Sequence, residues 1–332
     1  MSSQPSIDGI LVQWGERLFY PRNRTVAAWT PRLRGQSRAS AIRSRIEATV
    51  RQAPQVMVKV TGGGRGMGAI RAHFRYITKN GRLDIEDDRG AIEQGKDAVR
   101  EIERQWQFGG AYVGEEGHRR EAFNVMLSMP RGTDPFIVHK AAREFAKIEF
   151  ADHRYVMVLH DHQANPHVHL SVKAESKHGK RLNPRKADLH RWRETFAERL
   201  REWGIDAEAT RQASRGEYRN RDELWRIKAR EQGRLRKDRP HRKSGEAPRL
   251  SRQQALDAWR QIFNALADSP SKEDQALAKR IADFVKDMPM MARTTTVTRE
   301  RQRVPLDLGR EPTRERVQLT TDRTRNGPEI ER

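Results

Sequence analysis

The chain has 332 residues, of which 35% are hydrophobic and 33% are charged, and its formal net charge at pH 7 is +21. This charge favours a polyanionic partner, foremost a nucleic acid, because each Lys or Arg that meets a phosphate releases counterions. An anionic membrane surface and a merely solvated basic surface are the alternatives. The absence of cysteine excludes disulfides, thiolate metal ligands and a Cys nucleophile.

The chain shows neither a signal-peptide pattern at residues 1–15 nor a run of about 20 apolar residues that could cross a bilayer. We therefore predict a cytoplasmic protein without membrane insertion. Apolar segments concentrate in the middle of the chain, where we predict one compact domain. The predicted organisation is a basic N-terminal arm at 1–54 with a short helix at 39–52, the folded domain at 55–206, a basic linker at 207–250, a helical hairpin at 251–288 and a disordered tail at 289–332.

Hydrophobic periodicity within the central segment alternates between strand and helix. It predicts strands at 55–60, 83–86, 122–129, 154–160 and 167–174 and helices at 67–79, 97–106, 135–148 and 183–203, the last opened by Asn183 as cap and Pro184. This order indicates an α+β fold, with a central, mainly antiparallel sheet flanked by helices and with helical and disordered basic extensions. The glycine-rich turn at 62–66 predicts either a phosphate cradle at a helix N-terminus or a simple flexible turn.

Three histidines mark the end of one predicted strand and the start of the next. His167 and His169 alternate with Val168 and Leu170, so both imidazoles share the face opposite the apolar residues. His160 ends the preceding strand, and the short connection between the strands can bring it alongside. Three imidazoles leave coordination positions open for a phosphate oxygen, as Lewis-acid catalysis requires. The alternative is that these histidines are ordinary polar residues of an amphipathic strand.

The run from His160 to Leu170, with Pro166 before the paired histidines, resembles the metal motif of the mobilisation-type conjugative relaxases. These enzymes belong to the histidine–hydrophobe–histidine endonuclease superfamily, which has an RRM-like fold. The resemblance extends over residues 56–210 and includes the strand and turn at 124–131 and the Lys-Arg-Leu-Asn-Pro run at 180–184. It implies that His160, His167 and His169 bind a divalent metal, Mg²⁺ or Mn²⁺.

The residues around this motif depart from the family pattern at one point. Family members carry Asp two places after the first motif histidine, where this chain has His162, and its own carboxylate stands at Asp161. We expect one of these residues to contact a metal-binding histidine on the side away from the metal and so fix the orientation of its ring. The alternative is that both are loop residues without such a role.

A relaxase also needs a tyrosine nucleophile, and the chain has five tyrosines. Tyr76 lies on the predicted helix 67–79, offset from its apolar stripe, where pattern alone favours a partly packed tyrosine. The resemblance implies that Tyr76 is the nucleophile, because the family's tyrosine lies in a similar N-terminal helix. We further predict DNA contacts by basic side chains near the site: Arg65, Arg71, Arg75 and Lys173.

The resemblance implies a site- and strand-specific endonuclease that nicks single-stranded DNA at a plasmid origin of transfer. It forms a covalent 5′-phosphotyrosine and later rejoins the ends. Expected partners are the origin DNA, a relaxosome accessory protein and the coupling protein of a type IV secretion system. Two alternatives stay open: a rolling-circle replication initiator of the same superfamily, and a non-catalytic basic nucleic-acid-binding protein.

Overall fold

The structure is a computed structural model that describes residues 6–20, 38–217, 224–237 and 243–291. Most of the predicted tail and Tyr218 lie outside these residues. In chain order the helices are α1 (Ile7–Phe19), α2 (Arg38–Val50), α3 (Met67–Ile77), α4 (Lys96–Phe108), α5 (Pro135–Glu149), α6 (Lys186–Glu202), α7 (Leu224–Glu231), α8 (Glu246–Ala267) and α9 (Lys272–Lys286). The strands are β1 (Met57–Gly62), β2 (Ile85–Asp87), β3 (Ile92–Glu93), β4 (Ala122–Ser128), β5 (His153–His160) and β6 (His167–Ser176).

Within the described residues, six strands form one sheet in the order β1-β4-β6-β5-β2-β3. Every pair of neighbouring strands is antiparallel. The two central strands, β5 and β6, follow each other in sequence, so the hairpin between them places His160 directly opposite His167. The predicted α+β fold with an antiparallel sheet is confirmed.

Helices cover both faces of the sheet, and each face has its own apolar core. On one face, Leu127, Val168 and Leu170 pack against α5 and α6, including the buried ring of Phe145. On the other face, α3 and α4 pack over Val156 and Val158 of β5, together with Ile85 of β2. The histidine face therefore lies beneath a second helical layer.

A separate apolar cluster holds four helices from the two ends of the described chain. Leu11 and Leu18 of α1 and Ile46 of α2 pack against Trp259 of α8 and Ile281 of α9. The sequence analysis predicted a helix at 39–52 but none at residues 7–19, so α1 is a helix that the sequence analysis missed. Both helices of the predicted 251–288 hairpin are present, with α8 beginning at Glu246. No helix among the described residues combines the length and apolar character needed to cross a bilayer.

A buried arginine joins α2 to the sheet domain. The Arg45 guanidinium donates to Glu194 of α6 at 2.9 Å and to Glu208 at 3.4 Å, and both carboxylates are buried. Burial opposes the charge on Arg45, but the two carboxylates outweigh it and raise the pKa of Arg45. The ion group therefore holds α2 against the sheet domain only as long as all three charges are present.

One local prediction needs correction. The helix predicted from Asn183 begins at Lys186, because the Asp188 carboxylate accepts from the Arg185 amide at 2.8 Å and satisfies that end. After the glycine-rich turn, the first two amides of α3 are engaged, since Met67 and Gly68 donate to the carbonyls of residues 114 and 115. A Cβ at Gly66 would lie 2.3 Å from the Glu115 oxygen, so the glycine is needed for close backbone packing.

One buried carboxylate ties strand β2 to α5 and predicts a pH-dependent stability. Glu86 of β2 accepts from Arg143 at 2.8 Å and faces His139 at 3.2 Å. Burial alone would raise the pKa of Glu86, but the His139 and Arg143 hydrogen bonds outweigh it and lower that pKa to about 2. Because the folded-state pKa lies below the ordinary value, the stabilisation is present above pH ~4.5 and is lost as pH falls through about 2.

We therefore expect Glu86→Gln to lower the free energy of unfolding by about 2 kcal/mol at pH 7. Urea denaturation at pH 7, 5 and 3 measures this difference, which should shrink at the lowest pH. Glu93→Gln on the neighbouring strand β3 is the control, since Glu93 is exposed. A difference between wild type and Glu86→Gln that stays constant from pH 7 to 3 would contradict the assignment.

Candidate active site

The three predicted histidines converge at the centre of the sheet. His160 ends β5, while His167 and His169 lie at the start of β6, and all three are buried. The ring centroids are 4.6 Å apart for His160 and His169 and 5.0 Å apart for each of the other two pairs. The structure therefore brings together all three residues that the spacing singled out.

The ring nitrogens of this triad are arranged as metal ligands are. The second nitrogens of two rings are held by the backbone: His160 Nε2 donates to the Ile77 carbonyl at 2.7 Å and His167 Nδ1 to the Asn165 carbonyl at 3.0 Å. Such bonds fix the tautomer and direct the other nitrogen of each ring inward. Among the described residues, His160 Nδ1 and His169 Nδ1 have no hydrogen-bond partner although both are buried.

One nitrogen from each ring lies within 4.8 Å of the other two. Two imidazole ligands on one ion of the zinc type span at most about 4.2 Å, twice the usual bond length. Small ring rotations would therefore bring all three nitrogens to bonding distance. The donor set fits a divalent cation.

The protonation states of the triad suit the same role. Burial lowers the pKa of His169 to about 3, and the neighbouring His160 and His167 add to this effect. Burial also lowers the pKa of His160 and of His167, despite the opposing effect of their bonds to backbone carbonyls. The three imidazoles are therefore neutral at physiological pH, the form that binds metals.

Tyr76 lies next to the triad. It occupies the last turn of α3 with 66% of its surface exposed, and its ring centroid is 6.0 Å from that of His169. Helix α3 is fixed over the triad because His160 bonds the carbonyl of the next residue, Ile77. Among the described tyrosines, only Tyr76 has a ring contact with these histidines: Tyr20 contacts Arg45, and Tyr155 is buried on the opposite face of the sheet.

A fourth histidine, which the sequence analysis missed, completes this group. The His73 ring lies 6.2 Å from that of Tyr76 and 6.3 Å from that of His169, one helical turn before the tyrosine. Burial lowers the pKa of His73 to about 4, so the ring is neutral at physiological pH. The i, i+3 spacing of His73 and Tyr76 on a helix was the only signal for it in the sequence.

The other predicted site residues take varied positions. Asp161 and His162 lie on the connection between β5 and β6, and the His162 ring centroid is 5.1 Å from that of His160. Their carboxylate and imidazole are 4.0 Å apart. Among the described residues, neither Asp161 nor His162 hydrogen-bonds to a nitrogen of the three histidines, so their orienting role stays a prediction.

The basic residues divide into those beside Tyr76 and those away from it. Arg71 pairs with Glu115, and Arg75, which is more exposed, lies 4.0 Å from Glu103; both share helix α3 with Tyr76. Arg65 instead lines a separate cavity of about 370 Å³ that none of the three histidines lines. The DNA contacts of these residues stay predictions.

Lys173 occupies a position that the sequence did not indicate. Its side chain is buried, and its ammonium donates to the carbonyls of Trp106, Gly109 and Ala111 at 3.1, 3.3 and 2.9 Å. Burial lowers the pKa of Lys173. The residue binds the C-terminal end of α4 and the loop after it, so the geometry gives it a structural role in place of an exposed phosphate contact.

The fold and site together define an α+β domain with a buried three-histidine centre beside an exposed tyrosine. Residues 76–205 match the family described as "Relaxase: MobA/VirD2-like, nuclease domain". This segment begins at Tyr76 and contains the whole triad. The predicted resemblance to the mobilisation relaxases is confirmed over these residues.

A curated relative points to the same family. The chain is 24% identical over 182 residues to the T-DNA border endonuclease VirD2 of Rhizobium radiobacter. The aligned region covers 49% of this chain and 43% of that relative. The chain therefore spans less than half the length of this relative.

Proposed function

We propose that this protein is a relaxase that nicks one DNA strand at an origin of transfer, with Tyr76 as the nucleophile. The observation that carries the proposal is the juxtaposition of an exposed tyrosine and a buried triad of neutral imidazoles, with ring centroids of Tyr76 and His169 6.0 Å apart. Among the described tyrosines, Tyr76 is the one that is exposed beside these histidines, where single-stranded DNA could approach its hydroxyl. The family match over residues 76–205 supports the same function.

The proposed reaction is a transesterification. The Tyr76 hydroxyl gives up its proton as its oxygen forms a bond to the scissile phosphorus, the bond from phosphorus to the 3′ oxygen breaks, and the released 3′ oxygen takes up a proton, so no proton is gained or lost overall. The 5′ end remains attached as a phosphotyrosine, so the reverse reaction can rejoin the strand without an energy source. His160, His167 and His169 would hold Mg²⁺ or Mn²⁺, which would supply positive charge to neutralise the charge developing on the phosphate.

The protein's own groups arrange the site for this step. Backbone carbonyls hold the rings of His160 and His167, and the bond from His160 to Ile77 fixes the end of α3 that carries Tyr76. His73 packs beside the tyrosine ring and limits its rotation. Arg71 and Arg75 lie on the same helix, where they bind the backbone of the DNA strand.

The wider biological setting follows from this proposal. The substrate is single-stranded DNA at the origin of transfer of a plasmid or other conjugative element, and the reaction takes place in the cytoplasm. A relaxosome accessory protein and the coupling protein of a type IV secretion system are the expected protein partners. The net charge of +21 supports the nucleic-acid partner.

The test incubates the full chain with single-stranded oligonucleotides that tile candidate transfer origins, in Mg²⁺, Mn²⁺ or excess chelator. We expect a nicked product and a protein–DNA adduct that survives denaturation, both absent in chelator. Tight, salt-sensitive binding without any adduct across all origins and metals would instead identify a non-catalytic nucleic-acid-binding protein. An adduct restricted to a replication origin would favour the initiator alternative.

A further inference from the structure

Two large aromatic side chains are exposed side by side at the end of α4. Phe108 is 65% exposed and Tyr112 is 64% exposed, and their ring centroids lie 5.8 Å apart with a 39° tilt. The neighbouring aromatic residues of this layer, Phe74 and Trp106, are buried in its core. Leaving two adjacent rings in water forfeits the stabilisation that burial would give them, so such a pair points to a binding surface.

The loop that carries this aromatic pair is held in one conformation. Gly110 has a φ of +99°, which favours glycine, and the Val113 amide donates to the Gln107 carbonyl at 3.1 Å. A Cβ at Gly109 would lie 2.4 Å from the Gln105 carbonyl oxygen. Lys173 binds the carbonyls on both sides of the turn, so its buried ammonium fixes the backbone between the two rings. Fixed rings lose little conformational entropy when a ligand binds.

The aromatic pair also lies on the same helical layer as Tyr76. Arg75 approaches Glu103 of α4, and Arg71 donates to Gln107 at 3.5 Å, immediately before Phe108. The five residue steps from Glu103 to Phe108 span about 7.5 Å of helix axis. That rise corresponds to roughly two stacked nucleotides at about 3.4 Å each. Arg75, next to Tyr76 in sequence, and Arg71 thus form a basic line on α3 that leads toward the aromatic pair.

Basic groups accompany the pair on its other side. Arg154 and Lys177 line a cavity of about 340 Å³ that begins at Gly109, with Glu175 as its acidic member. Aromatic rings combined with positive charges along one path are the usual composition of single-strand binding surfaces, because bases stack on the rings while the charges follow the phosphates.

We propose that Phe108 and Tyr112 form a stacking platform for unpaired bases of the DNA strand whose phosphodiester lies at Tyr76. The proposal rests on the proposed function, since it assigns the platform to the same single-stranded substrate. Lys173 is a positioning residue that keeps the two rings together and does not touch the DNA. The platform supplies affinity through bases, whereas Arg71 and Arg75 supply it through phosphates.

The test measures binding of the full chain to fluorescein-labelled (dT)20 and to an oligonucleotide of equal length with an abasic block. Anisotropy titrations compare wild type with the double variant Phe108→Ala/Tyr112→Ala. Stacking predicts a Kd for (dT)20 raised about 5- to 100-fold in the double variant, with little change for the abasic strand. Phe108→Tyr/Tyr112→Phe keeps both rings and should bind as wild type does.

The matched control is Phe136→Ala, which removes a ring that is 70% exposed on α5, the helix over the opposite face of the sheet. It should leave the Kd for (dT)20 unchanged. Equal affinity of wild type and the double variant for (dT)20 would overturn the platform, as would equal losses for (dT)20 and the abasic strand.

The two proposals fail in distinguishable ways. If wild type forms the Tyr76 adduct but the double variant binds (dT)20 normally, the platform is wrong and the relaxase function stands. If wild type binds (dT)20 no better than the abasic strand, base stacking is excluded whether or not an adduct forms. Loss of binding to a protein partner with unchanged binding to DNA would assign the aromatic pair to that partner and overturn the proposal.

Discussion

Replacing Tyr76 by Phe is expected to abolish the covalent protein–DNA adduct while leaving DNA affinity unchanged within about twofold. The substitution removes one oxygen from a side chain that is 66% exposed, so neither folding nor the aromatic contact with His169 should change. Loss of the attacking atom removes the whole chemical step, and rates should fall by at least about 10³-fold. Gel analysis of adducts after denaturation measures the rate, and anisotropy measures the affinity.

The control for this variant is Tyr155→Phe, because Tyr155 is buried among α5 and α6 on the other face of the sheet. It should form the adduct at the wild-type rate. Wild-type adduct formation by Tyr76→Phe would assign the nucleophile to another residue. Loss of DNA affinity in the same variant would instead give Tyr76 a binding role.

Replacing His169 by Ala is expected to have the second largest effect. His169 contacts both other triad rings and the Tyr76 ring, so its loss removes a ligand from the centre of the site. We expect nicking to fall by about 10²-fold or more, because altering even the outer partners of a metal ligand costs 10- to 100-fold. Metal binding itself gives a readout that does not depend on activity.

Thermal unfolding with increasing Mn²⁺ provides this readout. A ligand that binds only the folded state adds about 2.7 kcal/mol to the free energy of unfolding when its concentration is 100 times its Kd. This added stability raises the melting temperature. Wild type should show the rise and His169→Ala should not. His178→Ala is the control, since His178 is exposed in the turn after β6. A metal-dependent rise in His169→Ala equal to that of wild type would contradict the assigned ligands.

The sequence predicted the main elements of the sheet domain because their hydrophobic periodicity is regular. The alternation of Val168 and Leu170 with His167 and His169 predicted both the strand and the shared face of the two imidazoles. The short hairpin predicted that His160 would join them. Strand β3 was missed because its two residues, Ile92 and Glu93, are exposed and carry no periodic signal.

Features that depend on packing between distant segments could not be predicted in this way. The layer of α3 and α4 buries the histidine face, and this burial determines the neutral state of the triad. The same layer gives Lys173 three backbone carbonyls from residues about 60 positions away, which no local pattern reveals. The position of His73 beside Tyr76 and His169 likewise depends on how α3 docks on the sheet.

The sequence did contain one overlooked signal. Leu11, Leu18 and Phe19 follow helical spacing at i, i+7 and i+8, and they are buried in the cluster that joins α1 to α8. The many arginines of residues 1–54 dominated the composition and favoured a basic arm. Arg45 shows why charge alone misleads here, because it is buried between two glutamates and does not face solvent.

The most direct test of the central claim is mass spectrometry of the adduct after nuclease and trypsin digestion. Cleavage after Arg75 and Lys79 yields a peptide of residues 76–79 that contains one tyrosine and no other candidate nucleophile except Thr78, whose hydroxyl is bonded to the Phe74 carbonyl. We predict a nucleotide phosphate attached to this peptide through Tyr76. A nucleotide attached to a peptide that contains another tyrosine, or nicked DNA without any attached nucleotide, would contradict the account.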